Sequence, residues 1–191
     1  MWNRRAIKIA LMWVIPALSI AAGVSSVSAQ PAMESSLKAA FLYNLVKFVE
    51  WPGGKPGGKP EAITVGLVGK NDFGTALEQL FQGKELDGRA LAVRNISKLE
   101  ELKLCNLVFI AASEQERVGE LLGALRGVPA LTVSEIARFA QRGGMIQVEM
   151  DGRKIRFEVD AERVAGARLK ISARFLQLAS AVYGHDKARR Q

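Results

Sequence analysis

The chain has 191 residues, with 27 lysines and arginines against 19 acids, a formal charge of +8, one histidine and one cysteine. That length suits one domain rather than several. A single cysteine excludes an intrachain disulfide, a cysteine-based zinc site and c-type haem attachment, and the interspersed charges leave no basic tract except the Lys187–Arg190 tail, which reads as a solvated end rather than a nucleic-acid footprint.

Residues 1–29 read as a secretory signal peptide. Arg4, Arg5 and Lys8 form a positive start, residues 9–24 carry no charge, and Val27 and Ala29 sit at the −3 and −1 positions of a small-residue cleavage site. The uncharged stretch is shorter than the roughly 20 residues a spanning helix needs and contains Pro16. Cleavage after Ala29 starts the mature chain at Gln30, removes three positive charges and no acid, and leaves +5. The mature chain then works outside the cytoplasm. Residues 30–184 form one domain and residues 185–191 a basic tail.

Residues 36–50 predict a helix, because Leu37, Phe41, Leu45 and Phe48 recur at three- and four-residue intervals before Trp51-Pro52. Two copies of Pro-Gly-Gly-Lys follow in residues 52–59, a composition that buries no core and reads as a loop. The β-branched run 63–68 predicts a buried strand. Asn71 or Asp72 caps a helix with Ala76, Leu77, Leu80 and Phe81, stopped at Gly83. Residues 89–96 form a second strand, and Ser97 with Glu100 a capping box. Residues 107–111 read as a strand covered on both faces. Ser113 and Glu116 cap the next helix, residues 130–133 form a short strand, and Ser134 caps a helix running to Arg142. This alternation predicts an α/β fold: a three-layer α/β/α arrangement, a mostly parallel sheet with helices on both faces, ending in a C-terminal β-hairpin.

The hairpin is centred on Asp151-Gly152, the preferred pair for a two-residue type I′ turn. That turn pairs Met150 with Arg153, Glu149 with Lys154, Val148 with Ile155 and Ile146 with Phe157. It points Ile155, Phe157 and Val159 inward and Lys154, Arg156, Glu158 and Asp160 outward. Residues 169–183 then predict a last helix, apolar at Phe175, Leu176, Leu178, Ala179 and Val182.

Catalytic groups are scarce. His185 lies in the charged tail with no second histidine, no Gly-x-Ser-x-Gly elbow is present, and Gly69-Lys70-Asn71 lacks the first glycine and the Ser or Thr of a phosphate loop. Cys105 precedes an apolar run, as a buried thiol does. The residues point to a binding domain, not an enzyme, with no cofactor and no metal.

Four segments together resemble the YfiR family of periplasmic repressors: residues 38–44 (Lys-Ala-Ala-Phe-Leu-Tyr-Asn) with 48–52 (Phe-Val-Glu-Trp-Pro); 65–69 (Val-Gly-Leu-Val-Gly) with 72–74 (Asp-Phe-Gly); 105–110 (Cys-Asn-Leu-Val-Phe-Ile); and 143–146 (Gly-Gly-Met-Ile) with 156–160 (Arg-Phe-Glu-Val-Asp) and 169–179. The resemblance implies an exported α/β domain, often a homodimer. Such a domain binds the periplasmic sensory part of an inner-membrane diguanylate cyclase or similar sensor protein and represses it, lowering cyclic di-GMP and biofilm output. Members of the family can carry disulfides; Cys105 stands at a family cysteine position, and Gly66 stands where its partner is expected. Asp160 stands where the family usually has Asn and still caps the following turn.

Partner- or ligand-binding residues are expected on the outer side of the hairpin and the start of the last helix, at Glu158, Arg156 and Arg174, with Trp51 as an aromatic anchor beside the loop. The alternative is a periplasmic small-molecule binder, its ligand at the strand ends near Gly69–Gly74 or Ala111–Ser113, where open α/β sheets place clefts. A hydrolase is the third reading, and the one with least behind it.

Overall fold

Runs of β-branched and apolar residues set the centre of the sheet in the computed structural model, which describes residues 29–52 and 61–184. The signal-peptide reading, the Gly-Lys-Pro loop and His185 with its tail lie outside, or all but outside, the described residues. In chain order the elements are α1 (Ala29–Lys47), β1 (Val49–Glu50), β2 (Ile63–Val68), α2 (Gly74–Phe81), β3 (Glu85–Leu86), β4 (Arg89–Ile96), β5 (Leu107–Ile110), α3 (Val118–Ala124), β6 (Leu131–Ser134), β7 (Ile146–Asp151), β8 (Lys154–Asp160), α4 (Ala161–Gly166), β9 (Lys170–Ile171), α5 (Ala173–Leu176) and β10 (Ala181–Tyr183). Two 3-10 helices, Leu99–Leu104 and Ala112–Arg117, complete the described elements.

Eight strands form one sheet in the order β10-β8-β7-β6-β5-β2-β4-β3. The pairs from β4 through β2, β5 and β6 to β7 are parallel, as is β8 with β10. The two hairpins, β3–β4 and β7–β8, are antiparallel. One core lies between the sheet and α1, α2, α4 and α5, with Leu42, Leu45, Phe73, Phe109, Phe157 and Phe175 among its members. The other lies under α3, the first 3-10 helix and residues 136–139, with Val108, Ile110, Leu121 and Phe139. The expected three-layer α/β/α arrangement is therefore observed.

Local departures from the expected elements have identifiable causes. The first helix runs from Ala29 to Lys47, so Val49 and Glu50 leave it and pair with Ile171 and Lys170. Glu101, not Glu100, caps the first 3-10 helix. It accepts the N–H groups of Ser97 and Lys98, and these bonds hold its carboxyl below the usual carboxylate range. Ser113 is not a cap; its Oγ accepts the N–H of Lys70, 2.9 Å away. Residues 135–143 form turns rather than a helix, with Arg138 at φ +58, a value no right-handed helix contains. Ser134 spends its hydroxyl on the Ile110 carbonyl and the Ile136 N–H.

The hairpin keeps its predicted faces but not its predicted register. Its turn residues are Gly152 and Arg153, and the pairs are Asp151–Lys154, Met150–Ile155, Glu149–Arg156, Val148–Phe157 and Ile146–Val159. Sliding the pairing by two residues preserves which side chains face inward. It sets Ile146 against Val159 and Asp151 against Lys154, so it satisfies both faces as well as the expected register does. Gly152 at φ +60 holds the first central position, the place glycine takes in a type II′ turn. The type I′ pattern occurs instead at the other Asp-Gly, where Asp87 and Gly88 have φ of 53 and 73 between β3 and β4.

The largest departure is at the C-terminal end. The expected helix over 169–183 is broken into β9, four residues of α5 and β10. Ser172 caps α5 by accepting the Phe175 N–H. Ser180 then donates both its N–H and its hydroxyl to the Phe157 carbonyl, each at 2.8 Å, which seats β10 beside β8.

Beneath the turns of residues 135–143 the packing is tight: a Cβ on Gly144 would overlap ring carbons of Phe139, itself 0% exposed. Replacing Gly144 with Ala is expected to cost about 3 kcal/mol through overpacking, read as a lowered midpoint in urea with unchanged slope.

Candidate interaction surface

Alternation along β7 and β8 sends Gln147, Glu149, Asp151, Arg156 and Glu158 to one side of the sheet, away from Phe157 and its partners. The second core takes no residue from β7, β8 or β10. Among the described residues no helix therefore closes over this half of the sheet, and a polar face is left open.

Its residues are held in place by short bonds. Arg156 Nε lies 2.7 Å from Asp151 Oδ2, both side chains more than half exposed. Tyr183, delivered by β10, donates its hydroxyl to Glu158 Oε2 at 2.9 Å. That bond is the main reason the phenol pKa is raised. Gln147 Oε1 accepts the N–H of Phe139, tying the face to the neighbouring turns. Asp160, at the end of β8, caps α4 by accepting the Arg163 N–H at 2.9 Å, the role expected of it.

The predicted site residues thus fall into three places. Glu158 and Arg156 share the open face. Arg174 is exposed on α5, whose Phe175 packs on Phe157 from the other side of the sheet, so it does not meet Glu158. Trp51 is half-buried and fixes the end of α1, its Nε1 donating to the Val46 carbonyl at 2.9 Å. Its ring borders a groove of about 340 Å³ with Pro52, Pro129, Arg168 and Lys170. Tyr183 is the member that reading the sequence as a helix concealed. The signal for it is the β-prone Ala-Val-Tyr between Ser180 and Gly184.

The strand-end cleft proposed for a small molecule is partly filled. Ser113 bridges to Lys70 across it, and the adjoining groove of about 400 Å³ contains Arg117, which is paired with Glu114 and Glu120 at 3.3 and 3.1 Å. Among the described residues no three His, Cys, Asp or Glu side chains gather as metal ligands, and no helix is long and apolar enough to cross a membrane. Cys105 is 4% exposed, and burial pushes its thiol up to about 11. Gly66 lies directly against it: a Cβ on Gly66 would stand 2.7 Å from the Cys105 Sγ.

Comparison with known proteins matches residues 35–180 to a family described as YfiR/HmsC-like. Among solved structures, a conserved domain protein from Vibrio cholerae is similar in fold, with a TM-score of 0.50 at 9% identity over 75% of this chain and 59% of that one. A Streptococcus pneumonia ABC domain in complex with L-Trp gives 0.49 at 10% identity over 80% and 60%. This chain spans about three fifths of the length of each.

Proposed function

Because this chain belongs to the YfiR/HmsC-like family, regulators of diguanylate cyclase signalling in the periplasm, we propose that it binds the periplasmic sensory part of an inner-membrane diguanylate cyclase and holds that enzyme inactive. Cyclic di-GMP and biofilm output fall as a result. Export after cleavage behind Ala29 brings it to that compartment.

The observation that supports contact through the hairpin is the open polar face, with Glu158 held by Tyr183 beside exposed Arg156. Repression follows from selective binding. Moving a sensor from one part in a hundred inactive to ninety-nine takes a preference of about 5.5 kcal/mol for the inactive form, and no chemistry on the regulator's side is needed.

The substitution Glu158→Lys reverses a charge at the centre of this face without touching the core. It is expected to weaken capture of the cyclase by about tenfold, the equivalent of roughly 1.4 kcal/mol, to raise cellular cyclic di-GMP, and to leave the melting temperature unchanged. Normal repression by a folded Glu158→Lys protein would contradict the assignment.

A ligand that controls release remains compatible with this reading. A groove of about 470 Å³ between α4 and α5, lined by Val159, Val164, Leu169, Ile171 and Leu176, favours a small apolar one. A rise in melting temperature with such a ligand is the readout.

A further inference from the structure

The far end of the sheet offers a second kind of site. Strand β4 is eight residues long, but its outer neighbour β3 covers only Arg89 and Ala90, with one further bond from the Leu91 N–H to the Lys84 carbonyl. By the same alternation Val93 and Asn95 turn their N–H and C=O groups outward. Among the described residues nothing pairs with them.

Beside this open edge runs a groove of about 400 Å³. Half-buried Leu91 and Val93 form its floor, and Thr75, Glu78 and Gln79 of α2 with Gln82, which follows it, form its wall. Unpaired ladder groups next to an apolar floor are what an added β-strand requires: main-chain bonds supply affinity and alternate side chains enter the groove. Glu78 is exposed, makes no ion pair among the described residues, and is the charged group of the wall.

We propose that this edge is a docking site for an extended segment of a partner protein. The segment lies along β4 beneath α2, with apolar side chains at alternate positions and a lysine or arginine facing Glu78. A second copy of this chain fits less well, since a two-fold axis through Val93 brings α2 against its own mate and turns Glu78 toward Glu78. The site lies at the opposite end of the sheet from the hairpin, so it stands whether or not the hairpin face is the cyclase contact.

The test uses the purified protein, labelled with ¹⁵N, and a blocked probe peptide, Thr-Lys-Val-Thr-Val-Lys-Thr. On titration the amides of Val93 and Asn95 are expected to shift and to exchange more slowly. Replacing both probe lysines with glutamate weakens binding by about threefold. Val93→Pro, tolerated at an edge position, weakens it by about fivefold through the lost N–H. The wild-type exchange measurement decides the matter even if that variant fails to fold. No change at residues 91–95 up to millimolar peptide, a change confined to β10, or equal affinity for the glutamate probe would overturn the proposal. A dimer that protects residues 91–95 without peptide would also overturn it, in favour of a second copy.

Discussion

Replacing Phe157 with alanine is expected to destabilise the protein by about 3–5 kcal/mol, a fall in melting temperature of roughly 10 °C for a domain of this size. The side chain is 6% exposed. Its ring stands 4.6 Å from that of Phe175 and 5.4 Å from that of Phe41, and Phe48 adds a further contact at 5.4 Å from Phe175. These four rings join β8 to α1 and α5, so the cavity lies where three elements meet and cannot collapse by moving one of them. The loss should reach the surface as well. The Phe157 carbonyl receives both bonds from Ser180 that seat β10, and β10 delivers Tyr183 to Glu158. Phe157→Leu, which keeps most of the volume, should cost less than about 1.5 kcal/mol. Equal losses for the two variants, in urea titrations followed by circular dichroism, would show that the cluster does not carry this weight.

Installing a cysteine at position 66 has the opposite expected sign. A Cβ on Gly66 would lie 3.4 Å from the Cβ of Cys105, at the near edge of the 3.5–4.5 Å that disulfides span. The bridge would close a loop of about 40 residues and add about 4 kcal/mol by restricting the unfolded chain. Ile96 Cγ1, 3.0 Å from the new Cβ, has to yield slightly. Because burial raises the Cys105 thiol to about 11, the thiolate is scarce in the folded state. The bridge should therefore form during oxidative folding rather than by air oxidation of the folded protein. Gly66→Cys is expected to melt well above its own reduced form, while the wild-type chain melts identically with and without reductant. An oxidised variant no more stable than the reduced one would contradict the packing described at this site.

Periodicity made the centre of the molecule legible. Strands β2, β4, β5 and β6 stand where β-branched and apolar runs placed them, and the parallel sheet with helices on both faces follows from their alternation with helical segments. Three of the departures show, each for a physical reason, why the rest was not legible. The hairpin register escaped because a two-residue slip leaves every side chain on the same face and still pairs opposite charges. The C-terminal helix escaped because Phe175, Leu176 and Ala179 recur with helical spacing, while the Ser172 hydroxyl starts a helix of only four residues and the Ser180 hydroxyl seats a strand. The Ser113 cap escaped because a tertiary partner, the Lys70 N–H, competes for the same oxygen. The candidate site shows the same split. Glu158 and Arg156 follow from strand alternation alone. Tyr183 depends on the long-range pairing of β10, and Arg174 was set beside Glu158 only by the helix that does not form.

The most direct test of the regulatory role is chemical crosslinking in intact cells, followed by capture of this protein and mass spectrometry of what comes with it. Recovery of an inner-membrane protein with a periplasmic sensory segment and a cytoplasmic diguanylate cyclase domain, reduced by Glu158→Lys, is the predicted result. A protein that crosslinks only to itself, in cells whose cyclic di-GMP is unchanged by its deletion, would contradict it.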